Sequence, residues 1–280
     1  MARLIIFDFD GTITDAEAEG APYREGYLAD VAILTGQPRD RVMARAVELE
    51  AELAAHAQEE GWVYEGRIVA PATVDPYLRV MPVSKRLFDE AGRFLEPEDR
   101  ARIGDLLYAS NYRKTLTAFR PGARALFEAL AGEAVYIVTN SHTDAVQGKV
   151  RTLGENADGS NSLSWLVDRV SGQARKFKVD ESWADVPSSL TLPGLGRPVL
   201  LRRRAYFERL DALRQAAGAA WSEVQVYGDI FELDLALPLA LGARVGLLRN
   251  AHTPPWEVDY LADHPRGAVL DALSALSFDP

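Results

Sequence analysis

Apolar residues recur along this chain in two spacings, and their alternation sets the architecture it predicts. Near the N-terminus, residues 3 to 9 carry a short apolar run, Leu4-Ile5-Ile6-Phe7, closed by Asp8 and Asp10. A run this short, apolar at consecutive positions and bounded by charge, predicts a strand buried on both faces of a parallel sheet. The pattern returns at Ala134 to Val138, at Val224 to Tyr227, at Ala243 to Leu248 and, more briefly, at Gly267 to Leu270. Helical spacing fills the intervals. Pro121 opens one helix, with Leu126, Phe127 and Leu130 on a face; Phe207, Leu210 and Leu213 mark another over residues 204 to 217. Ser141 and Asp144 have the spacing of a capping box, followed by Val146, Val150 and Leu153. Buried strands alternating with helices predict a doubly wound, Rossmann-like α/β domain around a parallel sheet.

Residues 15 to 119 follow a different pattern. Arg39 to Glu60 is strongly amphipathic, with Val42, Ala46, Leu49, Leu53 and Ala57 on one side and Pro38 at its start. Pro97, Glu98 and Asp99 open a second helix through Ile103, Leu106 and Leu107. This stretch predicts an α-helical insertion between the first two core strands, so the core is expected from residues 1–14 and 120–280. Residues 154 to 200, rich in Gly, Ser and Pro, predict an irregular excursion with a strand pair near Val167 to Val179. Pro238, inside Leu233 to Leu241, predicts an interruption of that helix.

Composition narrows the classes. The 280 residues are 48% hydrophobic and 26% charged, enough for a substantial core. Net charge is −10, from 31 Lys and Arg against 41 Asp and Glu. That balance disfavours duplex nucleic acid and anionic membrane as partners. No apolar run is long enough to span a bilayer, and no secretory h-region with its cleavage site opens the chain. There is no cysteine, hence no disulfide framework, thiol nucleophile or thiolate metal site. These features lead us to expect a cytoplasmic protein; they leave its oligomeric state open.

Candidate chemistry gathers at strand ends. Asp8, Thr139 and Asp229 each follow a predicted strand. Ligands of open α/β sheets bind beyond the carboxyl ends of the strands, so these three can share one crevice. Asp8 is placed to act as a nucleophile that accepts a phosphoryl group. Asp10, two residues on, can give a proton to a leaving oxygen and later take one from water. Gly11 allows a turn that brings its amide near phosphoryl oxygens.

The segment Phe7-Asp8-Phe9-Asp10-Gly11-Thr12 resembles the first motif of the haloacid dehalogenase (HAD) superfamily, Asp-x-Asp-x-Thr/Val after a hydrophobic strand. Thr139-Asn140-Ser141 resembles the second motif, and Gly228-Asp229-Ile230-Phe231-Glu232-Leu233-Asp234 the acidic fourth. The resemblance spans nearly the whole chain, with residues 15–119 at the position of the family's helical cap. It implies a Mg²⁺ ion held by Asp8, the backbone carbonyl of Asp10 and Asp229, with Asp234 either a fourth ligand or a support behind these three. It also implies phosphate binding by Gly11, Thr12, Thr139, Asn140 and a lysine of the third motif. Lys176, within Gly172-Gln173-Ala174-Arg175-Lys176-Phe177-Lys178, is the preferred lysine. Lys178 and Arg202, Arg203 or Arg204 are alternatives, while Lys149 stands too early in the chain for that role. The expected activity is hydrolysis of a small phosphorylated molecule through an aspartyl-phosphate. A phosphomutase would keep the same residues. A dehalogenase would need neither Asp10 nor Asp229, and a non-catalytic binding module would have no reason to keep the three aspartates. His142, His252 and the five tryptophans are expected at the surface or in packing.

Overall fold

The computed structural model describes residues 3–276. In chain order the first half comprises β1 (Leu4–Phe7), α1 (Ala16–Thr35), α2 (Arg39–Ala55), β2 (Gly61–Tyr64), β3 (Arg67–Pro71), α3 (Pro76–Glu90), α4 (Pro97–Tyr112), α5 (Ala123–Ala129) and β4 (Ala134–Val138). The second half comprises α6 (Thr143–Gly154), α7 (Ser164–Val167), β5 (Val170–Ser171), β6 (Ser189–Leu190), β7 (Val199–Leu200), α8 (Arg204–Ala217), β8 (Val224–Gly228), α9 (Ala236–Leu241), β9 (Arg244–Leu248), α10 (Pro255–Asp263) and β10 (Gly267–Leu270). None of the helices among the described residues is long and apolar enough to cross a membrane.

Six strands form one parallel sheet in the order β10-β9-β8-β1-β4-β5. β1 lies at the centre, with Phe7 paired to Ile137 of β4 on one side and to Tyr227 of β8 on the other. Its side chains alternate between two cores. Leu4 and Ile6 pack with Val226, Val245, Tyr206 and Leu210, whereas Ile5 and Phe7 pack with Phe127, Ile137, Val146 and Val150. Both faces are therefore covered by helices, which is why the strand reads as continuous apolar sequence. The chain moves from β1 outward through β4 and β5, then returns to β8 and runs out the other way. The reversal beside β1 is the switch point at which such sheets open a crevice.

Contacts divide the chain into two compact units: residues 1–15, 63–70 and 119–280, and residues 16–62 and 71–118. The second unit is helical. Tyr23, Tyr27 and Val31 of α1, Val42, Ala46 and Leu49 of α2, and Val80, Val83 and Phe88 of α3 form its core. The amphipathic face expected for α2 is the buried one, although the helix ends at Ala55. Asp75 caps α3, its carboxylate accepting the Tyr77 amide at 2.7 Å with Pro76 in the first turn.

Residues 63–70, expected within the helical insertion, group with the sheet unit. β2 and β3 are joined by the two residues Glu65 and Gly66, both at positive φ (48° and 75°), a twist that suits a tight hairpin. Three contacts bind this hairpin to the segment 176–181. The buried Arg203 donates from Nη2 to Val69 O at 2.7 Å and from Nη1 to Lys176 O. The Tyr64 and Phe177 rings lie 5.0 Å apart edge to face, and Arg67 pairs with Glu181. Burial pushes the Arg203 guanidinium down to about 10, against the attraction of Glu232 and Asp234.

Two local expectations need correction. The strand pair near 167–179 reduces to the two residues of β5; beyond it Gln173 and Arg175 adopt φ of 52° and 50°, and the chain winds as a loop. The interruption expected at Pro238 falls before that residue rather than at it. A π-helical turn at Phe231–Leu235 leads into the short α9. Pro238 has no N–H for the carbonyl four residues back, that of Asp234, and the Tyr206 hydroxyl donates to this oxygen at 2.9 Å.

Phe127 of α5 is fully buried with its ring edge-on to Phe7 at 5.5 Å. We expect Phe127→Ala to cost about 3–5 kcal/mol of unfolding free energy. Urea denaturation would measure this; a loss below roughly 1 kcal/mol would mean that this face of the sheet is not tightly packed.

Candidate active site

The site is built where β1, β4 and β8 end. Asp8 continues the β1 ladder, its amide donating to Tyr227 O at 2.8 Å. The chain then turns back sharply, with Ile13 N on Phe9 O at 2.8 Å. Gly11 sits in this turn at φ +84°, and a Cβ there would fall 2.1 Å from Asp229 Oδ2. Glycine is required on both counts. The Gly11 amide donates to Thr14 Oγ1 at 3.1 Å, and the buried Thr12 hydroxyl lies 3.3 Å from Asp8 Oδ2 and 3.2 Å from Asp229 Oδ1. Thr12 thus bridges the first and fourth motifs.

Lys176 is buried, its Nζ 2.6 Å from Asp8 Oδ1 and 2.8 Å from Asp234 Oδ1. It is the cation that faces Asp8. Lys178 is exposed, Arg202 bonds the carbonyls of Val186 and Glu181, and Arg204 pairs with Glu208. The loop before Lys176 is laced to the segment after β4. Gly172 N donates to Thr143 Oγ1 at 3.1 Å, Gln173 N to Ser141 O at 2.8 Å and Ala174 N to Thr139 O at 2.9 Å. Asn140 completes the lacing by accepting the Lys176 amide on Oδ1 at 2.8 Å. Asn140, expected at the phosphate, is therefore also a clasp on the lysine. Nothing local in 172–178 announces this shape, because its hydrogen-bond partners lie some thirty residues earlier.

Carboxylate oxygens of Asp8, Asp229 and Asp234 come within 4.8 Å of one another, all three buried. Gly228 admits this approach, since a Cβ there would meet Asp234 Cβ at 2.4 Å. Asp234 Oδ2 also accepts the Ile230 amide at 3.1 Å, which locks the π-helical turn to the site. Glu232 points elsewhere and is gripped by both Arg197 amino groups at 2.6 and 2.8 Å. Three buried carboxylates facing one lysine leave an excess of two formal negative charges. Burial pushes the Asp8 carboxyl from 3.8 up to about 7; Lys176 opposes that rise and Asp234 adds to it. Asp234 and Asp8 in turn hold Lys176 firmly protonated against burial. Hard oxygen donors and excess negative charge fit a divalent cation such as Mg²⁺.

Asp10 does not point into this cluster. Its Oδ2 accepts the Ser141 hydroxyl at 2.6 Å and its Oδ1 the Lys149 ammonium at 2.9 Å. Ser141 is therefore not the helix cap its spacing implies; His142 precedes α6 and makes no capping side-chain bond. Thr139, buried at the end of β4, accepts the Ser141 amide on Oγ1 at 3.1 Å. The sequence pattern assigned Ser141 to a helix cap and set Lys149 aside as too early for the third motif; their signal as partners of Asp10 was weak, a serine two residues beyond Thr139 and a lysine two turns into the next helix.

A parallel, doubly wound sheet with acidic residues converging at its switch point defines an α/β protein with a crevice suited to catalysis. The model of the haloacid dehalogenase-like hydrolases matches residues 2–229, and the chain belongs to that family. Solved structures agree on the fold. A predicted phosphoglycolate phosphatase from Haemophilus somnus 129PT aligns with a TM-score of 0.53 at 16% identity, covering 97% of this chain and 94% of that one. The magnesium-bound HAD-type protein YfnB of Bacillus subtilis gives 0.52 at 16% identity, covering 98% and 96%. The haloacid dehalogenase-like protein ATU0790 of Agrobacterium tumefaciens C58 gives 0.51 at 16% identity, covering 97% and 94%. A sequence search of curated proteins returns no match.

A carboxyl whose pKa rises on folding stabilises the fold fully below its unfolded value, here 3.8. That contribution is lost as pH climbs through about 7. A cation bound by Asp8 displaces the same proton, so its binding strengthens over this window. In protein stripped by EDTA, we expect added Mg²⁺ to raise the melting temperature more at about pH 8 than at about pH 6. Equal shifts at the two pH values would remove Asp8 from the ligand set.

Proposed function

We propose that the chain is a Mg²⁺-dependent phosphatase of small phosphorylated metabolites that works through an aspartyl-phosphate on Asp8. The observation that carries this reading is the buried Lys176–Asp8 pair within the acidic cluster, with a second carboxylate, Asp10, two residues on and held apart from it.

Asp8 Oδ2 is the oxygen not taken by Lys176, and it forms the bond to phosphorus. Asp10 gives its proton to the departing alcohol, then takes one from the water that hydrolyses the aspartyl-phosphate. Lys176 balances charge on Asp8 and on the phosphoryl oxygens. The Thr139 hydroxyl, whose hydrogen is not used by its contact with Ser141, donates to one of those oxygens, with Asn140, Thr12 and Gly11 around them. Asp8, Asp229, Asp234 and the Asp10 carbonyl are the groups that would hold Mg²⁺, which would supply Lewis-acid stabilisation of the phosphoryl charge. A dehalogenase would have no use for the cluster or for an anchored Asp10. The helical unit is read as the family's cap, which selects the substrate, and a cytoplasmic setting fits the cysteine-free chain.

The decisive measurement is phosphate release from a panel of phosphate monoesters with and without Mg²⁺. Asp8→Asn should lower turnover by roughly three orders of magnitude or more, and excess EDTA should abolish it. Full activity under either condition would rule out the metal-aspartate mechanism.

A further inference from the structure

Asp10 lies in a turn rather than on a strand, and its side chain is 35% exposed, so packing alone does not hold its carboxylate in one direction. Two anchors do. Ser141 Oγ donates to Oδ2 at 2.6 Å, and Lys149 Nζ donates to Oδ1 at 2.9 Å. Both anchors are themselves fixed. The Ser141 amide is tied to Thr139 Oγ1, and its carbonyl accepts Gln173 N. Lys149 stands on α6 between Val146 and Val150, which are buried in the sheet's core, and its ammonium lies 5.8 Å from the centre of the Phe9 ring. Two residues earlier, the Gln147 side-chain amide donates to Val167 O at 3.0 Å and pins the same turn of helix.

Separate cations thus serve the two aspartates of the first motif, Lys176 for Asp8 and Lys149 for Asp10. An ammonium has donors and no acceptor, so the Asp10 oxygen facing Lys149 is an accepting one. A carboxylate has about four lone-pair sites, and two anchoring bonds leave room for a water proton. The arrangement presents Asp10 as an acceptor of fixed direction, which the second half of the reaction requires.

We propose that Lys149 is a positioning residue for breakdown of the aspartyl-phosphate, holding Asp10 with Ser141 in line with the attacking water. In that step the water oxygen bonds to phosphorus as the bond from phosphorus to Asp8 breaks. The electron pair returns to Asp8, and the water's proton passes to Asp10. The assignment rests on the phosphatase reading above.

p-Nitrophenyl phosphate separates the two half-reactions, because its leaving group departs without needing a proton. With Mg²⁺ saturating, Lys149→Met should release about one p-nitrophenolate per enzyme in a burst and then turn over slowly. The steady-state rate should fall roughly 10- to 100-fold, part of the effect of a whole general base, with KM falling alongside kcat. Ser141→Ala should move both quantities the same way, and Lys149→Arg should recover part of the rate. A merely structural role for Lys149 would lower kcat without a burst and without a fall in KM. Either that result or wild-type kinetics in both variants overturns the proposal. An inactive wild-type enzyme would instead bring down the phosphatase reading, so the two failures are told apart.

Discussion

Taking a carboxylate out of water costs several kcal/mol unless opposite charge or hydrogen bonds meet it. Asp8 is that carboxylate here, buried just past the end of the sheet's central strand with Asp229 and Asp234 against it. The ion pair with Lys176 makes the arrangement tenable, and much of the surrounding structure serves to bring that lysine in. The backbone before Lys176 enters left-handed conformations at Gln173 and Arg175, each at a cost of order 1 kcal/mol or more. Hydrogen bonds to residues 139–143 offset this on one side, and Arg203 holds the Lys176 carbonyl on the other.

The parallel sheet explains why residues so far apart in sequence meet. Register places Phe7 beside both Ile137 and Tyr227, so the residues just past each strand end, Asp8, Thr139 and Asp229, emerge at one edge. Two glycines then let the chains close. Gly11 makes room for Asp229, and Gly228 makes room for Asp234. Each glycine sets how near two carboxylates can come.

What could be read from the sequence follows the range of the interactions involved. Asp8 and Asp229 were legible because a strand end is a local feature, marked by an apolar run that stops. The face of α2 was legible because helical periodicity is local as well. Lys176 could be preferred but Lys178 not set aside, since the loop that buries one and exposes the other takes its shape from partners around residue 140. Ser141 was misread for the opposite reason. Its spacing to Asp144 satisfies a local rule, yet a carboxylate more than a hundred residues earlier competes for the hydroxyl and wins. The hairpin at residues 61–71 carried a turn signal in Glu65-Gly66, but strands of four and five residues inside a helical stretch give little periodicity to weigh.

That hairpin has a bearing on anyone who would recombine these proteins. Because residues 63–70 belong to the sheet unit while their neighbours on both sides do not, the chain passes between the units at four places: after residues 15, 62, 70 and 118. A graft that exchanged residues 16–118 as one cassette would carry away Val69 and Tyr64, and with them an acceptor for Arg203 and the ring beside Phe177. A buried guanidinium would be left short of a partner next to Lys176. Two cassettes spliced around the hairpin would leave the lysine's support intact, so the module boundaries that matter for shuffling are not those that the order of helices along the chain suggests.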